Sequence, residues 1–246
     1  SDDWQADAEF VPGADEDGGG RWEHGSGRAA GQWTLGWEEL AFAAHCTPFR
    51  HLGYFPDMAP VWTWMRGLIA DKAEPECLNL FGYTGVGTLA LSAAGTRMVH
   101  VDASKKSVNA ARDNAALSGM EDRPVRWIVE DAAKFAGREV RRGRRYDGII
   151  LDPPKYGRGP GGEIWQLERD LPGLIADCRA LLDADSEFCF LTAYAVRMSA
   201  LAIGGLMEDH FGDLPGKVEF GELAVREEAR GRLLPTAIFA RWSRQG

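Results

Sequence analysis

The sequence predicts an α/β protein built on a doubly wound, mostly parallel sheet with a small β-rich lid at its amino-terminal side. Three observations carry that prediction. From Cys77 onward, short apolar runs alternate with stretches of helical spacing. The runs are apolar throughout rather than every second residue, as strands covered on both faces are. Each of the first four runs ends in a turn rich in Gly, Asp or Pro, where an open parallel sheet places its ligands.

The elements follow in order. Residues 1–31 form an acidic, Gly-rich extension ending in GGGRWEHGSGRAAG; it is expected to be mostly irregular, with Trp4 or Trp22 packing on the body. Residues 32–73 form a lid and one helix. Alternation in LAFAA and in HLGYF predicts short strands, and APVWTWMRGLIADKA has helical spacing with a Pro at its start. Residues 74–246 hold the alternating unit: strand 77–81, helix 86–95, strand 98–102, helix 104–118, strand 125–129, helix 131–142, strand 146–151, helix 166–182, strand 187–193 and helix 196–211. Strands near 217–225 and 235–242 have no long helix between them and are expected to pair antiparallel at an edge.

Composition bounds the function classes. Hydrophobic residues make up 45% and charged residues 26% of 246 residues, a globular balance. No apolar stretch approaches the ~20 residues of a membrane span, and no secretory leader is expected. Cys46, Cys77, Cys178 and Cys189 are scattered without a CxxC pair, which predicts reduced thiols, no metal and a cytoplasmic location. The net charge of −9 argues against a surface that binds nucleic acid everywhere, but seven of the acids precede Arg21. Lys134, Arg138, Arg141, Arg142, Arg144 and Arg145 form a local basic cluster, opposed within the segment by Glu139 alone, that suits phosphate contact.

The chemistry concentrates at two turns. Gly82, Gly85 and Gly87 follow the first strand directly, where positive φ and close approach of ligand atoms call for Gly. The helix beginning near Val86 aims its amides at that turn, and Asp102, 17 residues after Gly85, is placed to accept both hydroxyls of a ribose. Glu130-Asp131-Ala132 ends the third strand, where an adenine edge would be met or a helix capped. Asp152-Pro153-Pro154-Lys155-Tyr156 ends the fourth. Two prolines remove two backbone donors and leave a surface of acceptors that suits an amino group, beside an aromatic able to stack on its ring.

Over residues 32–246 the sequence resembles a class I S-adenosylmethionine-dependent methyltransferase. LNLFGYTGVGTLALSAAG is similar to the first motif, HVDAS to the second, EDA to the third and DPPKY to the fourth. It resembles more narrowly the bacterial 23S ribosomal RNA methyltransferases with a DPPK-aromatic motif, and HLGYFPDMAP resembles their TGxFLDQR segment. The resemblance implies a Rossmann-like sheet of seven strands with the last antiparallel, S-adenosylmethionine as cofactor and an RNA substrate. It implies that Phe81, Gly82, Tyr83, Thr84 and Gly85 hold the methionine part, and that Asp102 holds the ribose. Ala103, Ser104, Asp131 and Ala132 would surround the adenine, Asp57 would help close the site, and Asp152, Pro153, Lys155 and Tyr156 would face the acceptor. Two departures stand out. The ribosomal enzymes carry an RNA-binding domain where this sequence has its acidic stretch. The cytosine-C5 members place cysteines after the fifth strand, where this sequence reads LTAYAV, with Ala193 and Ala195. Transfer to a base nitrogen is therefore expected over ring carbon.

Other functions use the same sheet. A methyltransferase acting on a protein or a small molecule would share every motif above. A nicotinamide-dependent oxidoreductase would want GxGxxG and would leave DPPKY without a role.

Overall fold

The computed structural model describes residues 6–13, 19–25 and 31–244. Its centre is a sheet of seven strands. In chain order they are β5 (Glu76–Leu80), β6 (Arg97–Asp102), β7 (Val125–Val129), β8 (Gly148–Leu151), β11 (Phe188–Tyr194), β12 (Lys217–Arg226) and β13 (Leu233–Ser243). Ahead of them lie two hairpins, β1 (Ala8–Pro12) with β2 (Gly20–His24) and β3 (Gln32–Trp37) with β4 (Leu40–His45). A third, β9 (Tyr156–Arg158) with β10 (Ile164–Gln166), follows β8. The helices are α1 (Ala59–Ile69), α2 (Val86–Ala93), α3 (Lys105–Leu117), α4 (Ala132–Arg141), α5 (Leu167–Ala180) and α6 (Ala200–Phe211).

Across the sheet the order is β12-β13-β11-β8-β5-β6-β7. Strands β11, β8, β5, β6 and β7 are parallel, and β13 runs antiparallel between β11 and β12. The chain steps from β5 outward to β7, then returns to the other side of β5 to form β8. The switch point therefore opens at the carboxyl ends of β5 and β8, the place where such sheets bind ligands.

Alternate residues of each central strand enter opposite cores. Leu78, Leu80, Ile149, Leu151, Cys189 and Leu191 pack under α4, α5 and α6. Cys77, Ile150, Phe188 and Phe190 pack on the other side with Trp62, Met65, Leu89 and Leu91. Both faces are buried, and the uninterrupted apolar runs of the sequence follow from that.

Two segments differ from the sequence expectation. Residues 8–12 and 20–24 are not irregular but form the β1–β2 hairpin. Phe10 meets Trp22 edge to face at 5.4 Å, and the Trp22 indole N–H donates to the Thr47 carbonyl at 2.6 Å. Trp4 lies outside the described residues. HLGYF is not a strand. Gly53 turns the chain at φ 88°, and His51 and Phe55 point into one aromatic cluster 5.2 Å apart. Residues 159–163 form the tip of the β9–β10 hairpin, closed by the Glu163 carboxylate accepting from the Gly161 amide at 2.8 Å. Among the described residues, no helix is long and apolar enough to cross a membrane.

Candidate active site

The turn after β5 is strained by design of its neighbours. Phe81 and Tyr83 both adopt positive φ, 58° and 48°, and Gly85 follows at 79° as it caps α2. Non-Gly residues rarely occupy that region, and clusters of them mark ligand-binding turns. Packing behind the turn explains the glycines. A Cβ on Gly82 would sit 2.4 Å from the His100 ring, and one on Gly85 would sit 2.6 Å from the Ala111 Cβ. Packing at the rear therefore calls for glycine at both positions, and Gly85 has the positive φ that the sequence predicts. His100 is fully buried and held by Thr88 Oγ1 at 2.9 Å; burial pulls its pKa down to about 3, so it stays neutral.

Asp102 is held on both oxygens. The Tyr83 amide donates to one at 2.9 Å and the Ser104 amide to the other at 2.8 Å. Burial raises its pKa, and those two amides work against the rise. Each oxygen keeps a second lone pair, so the carboxylate is oriented and still able to accept ribose hydroxyls. Ala103 lies between them, and the Ser104 hydroxyl caps α3 by accepting from the Ser107 amide at 3.2 Å. Asp131 caps α4, accepting from the Lys134 amide at 2.9 Å, and Ala132 is buried behind it.

Thr84 serves the lid. Its hydroxyl donates to the Gly53 carbonyl at 2.7 Å, and its own carbonyl accepts from Asn114 at 2.8 Å. Asn114 also accepts from the Ala43 amide at 2.8 Å, so α3, the β3–β4 hairpin and the cofactor turn are tied through one side chain. The hairpin is a strut, and residues 46–58 are the part that reaches the site.

At the end of that segment stands Asp57, only 6% exposed. The Tyr194 hydroxyl donates to its Oδ2 at 3.0 Å and the Thr236 hydroxyl at 2.6 Å. Asp152, at the end of β8, is half-buried, and its pKa is pushed up to about 7 by desolvation first and by the Asp57 charge second. Tyr194 and Thr236 had no motif to announce them. Tyr194 lies in LTAYAV and Thr236 is 179 residues from Asp57.

Beyond Asp152, Pro153 is buried and Pro154 exposed, with the Trp165 indole N–H donating to the Pro154 carbonyl at 2.7 Å. Trp165 also packs on Phe81 at 5.0 Å, which gives the turn an apolar wall. Lys155 is exposed and its carbonyl accepts from the Leu167 amide at 3.0 Å; Tyr156 is 50% exposed at the start of β9.

The donor set suits a nucleoside cofactor bearing a cation. It combines an oriented carboxylate for a ribose, the amide-rich end of α2, an aromatic wall, and two carboxylates with no ion-pair partner among the described residues. Residues 16–189 match the family model described as S-adenosylmethionine-dependent methyltransferase. The chain belongs to that family. Its cofactor is S-adenosylmethionine and its reaction class is methyl transfer.

A SAM-dependent methyltransferase from Agrobacterium tumefaciens matches with a TM-score of 0.92 at 41% identity, over 98% of this chain and 78% of that one. The chain is 29% identical over 179 residues to ribosomal RNA large subunit methyltransferase K/L of Shewanella amazonensis, covering 70% of this chain and 24% of the relative. It is 30% identical over 132 residues to ribosomal RNA large subunit methyltransferase I of Aeromonas salmonicida, covering 53% of this chain and 31% of the relative. The chain thus spans less than a third of the length of these curated relatives.

The basic cluster is differently disposed from its sequence pattern. Arg138 forms an ion pair with Glu130 at 2.5 Å, Arg142 with Glu139 at 2.9 Å, Arg144 with Glu76 at 2.6 Å and Lys134 with Glu163 at 3.1 Å. Three of those carboxylates are outside the cluster in sequence, so the cluster is largely neutralised.

Proposed function

We propose that this methyltransferase acts on a base nitrogen of ribosomal RNA. When bound, the cofactor supplies an electrophilic methyl group on a sulfonium. In this reading residues 74–246 are the catalytic unit, 32–73 cover it, and the β1–β2 hairpin meets the cover through Trp22. Asp102 holds the ribose, Phe81 to Gly85 the methionine part, and Ala103, Ser104, Asp131 and Ala132 the adenine. Asp152 and the Pro153 carbonyl take the N–H bonds of the acceptor and aim its lone pair inward, while Tyr156 stacks on the ring.

The observation that carries the choice of nitrogen is the end of β11. Methylation at pyrimidine C5 needs a thiol that adds to the ring. Here Ala193 and Ala195 occupy that end, and Cys189 is wholly buried in the strand with its thiol pKa pushed up by burial. The names of the curated relatives support RNA as the substrate class. Phe49, 60% exposed, and Tyr156 are available for stacking, and Arg50 and Arg158 are exposed near them in sequence for phosphate contact. This assigns backbone contact to the loops beside the site, in place of the 134–145 cluster.

The test is transfer of a labelled methyl group to 23S and 16S ribosomal RNA, followed by digestion to nucleosides and mass spectrometry. An N-methylated nucleoside is expected. A C5-methylpyrimidine would overturn the choice of atom. Transfer only to protein or small molecules would overturn the choice of substrate.

A further inference from the structure

We propose that Asp57 and Asp152 together form a charge-reading subsite, which holds the cofactor while it is a sulfonium and loosens once the methyl group has left. The inference rests on the cofactor assignment and not on the acceptor.

The geometry starts from the lid. Pro56–Met58 form one turn of 3-10 helix directly ahead of α1, and this turn presents Asp57 from the lid side. Its carboxylate is not a loose surface group: Tyr194 and Thr236 fix Oδ2 from two strands of the main sheet. Tyr194 belongs to β11, which is parallel and adjacent to β8, with Leu191 level with Leu151. The end of β11 therefore lies beside Asp152. The Tyr194 hydroxyl is correspondingly held in its neutral form by burial and by the charges of Asp152 and Asp57. Phe55 packs on the Tyr194 ring at 4.9 Å.

The titratable groups gathered here among the described residues are Asp57 from the lid, Asp152 from β8 and Tyr194 from β11, with His51 against Phe55 at 5.2 Å and its pKa lowered by burial; β13 adds the Thr236 hydroxyl. Among the described residues neither carboxylate has an ion pair. Two like charges, Asp57 buried and Asp152 half-buried, with no counter-ion among the described residues disfavour each other and favour a cation placed between them. The raised pKa of Asp152, about 7, is the signature of that repulsion added to burial. S-adenosylmethionine carries one more positive charge than S-adenosylhomocysteine, at the atom where transfer occurs. The subsite therefore discriminates substrate cofactor from spent cofactor by charge, and transfer itself switches the attraction off. Asp57 is a positioning and specificity residue in this arrangement. Asp102, which faces the ribose common to both forms, cannot make that distinction.

Calorimetric titration of the intact chain and of Asp57→Asn with each form of the cofactor tests this, with thermal melts to verify folding. The intact protein is expected to bind S-adenosylmethionine about tenfold more tightly than S-adenosylhomocysteine at about pH 8, and the preference should shrink toward about pH 6 as Asp152 takes a proton. Asp57→Asn should bring the two affinities within about twofold, chiefly by weakening S-adenosylmethionine. If that variant fails to fold, Asp152→Asn, which removes the other charge of the pair, should reduce the preference in the same direction. Equal affinities in the intact protein would overturn the proposal, as would an Asp57→Asn variant that weakens both forms alike. Failure of the intact protein to bind either form would overturn the cofactor assignment and this proposal with it.

Discussion

Asp102 and Asp152 end parallel strands on either side of β5, yet they live in opposite electrostatic settings. Asp102 meets two backbone amides, from Tyr83 and Ser104, which orient it and favour its charge against burial. Asp152 is desolvated, faces a second carboxylate and is lifted to about 7. The first is a finished acceptor that asks only for hydroxyls. The second is incomplete until a cation or an amine arrives. One fold therefore keeps the affinity common to both cofactor forms at the pre-satisfied carboxylate, and charge discrimination and reactivity at the frustrated one, which is how environment assigns roles to like groups.

Breaking the reactive side should give the largest effect. Asp152→Ala is expected to lower kcat for methyl transfer by about a thousandfold, read in single-turnover assays with labelled cofactor. Breaking the other side should act on binding. Asp102→Ala removes the ribose acceptor and leaves two turn amides without partners, and both cofactor forms should weaken by about thirtyfold to a hundredfold in calorimetry.

A smaller effect separates the turn from its ligand. Gly85→Ala forces a side chain into φ 79° and against Ala111, so it should cost about 2–4 kcal/mol of folding stability, measured by denaturant unfolding without cofactor.

The smallest effect is a pH signature. An Asp152 carboxyl whose pKa is raised in the folded state contributes stability fully present below about pH 4. That contribution is lost as pH rises through about 7. Asp152→Asn carries no such charge. Without cofactor it should melt a few kelvin above the parent at about pH 8, with the difference fading toward about pH 5.

The strands were legible because the physics that sets them is local. Residues 125–129 are the predicted strand and the observed one, and the apolar runs around Leu78, Ile149 and Leu191 announce burial on both faces. GYTGVG, Asp102 and DPPKY lie within a few residues of the strand ends that aim them. HLGYF misled because an alternating pattern also arises when aromatics on a turn converge on one cluster. The ion pairs of the basic cluster were not legible because Glu76, Glu130 and Glu163 reach it from other elements. Tyr194 and Thr236 were invisible for the same reason: their partner is in the lid, and nothing in their neighbourhood marks a carboxylate clamp.

The division of labour between the two carboxylates is tested most directly by titrating S-adenosylhomocysteine into Asp102→Asn and Asp152→Asn under identical conditions. This ligand shares the ribose of the cofactor and lacks the sulfonium charge. Asp102→Asn should lose about tenfold or more in affinity, while Asp152→Asn should stay within about threefold of the parent. The reverse pattern, with binding lost at Asp152 and kept at Asp102, would contradict it.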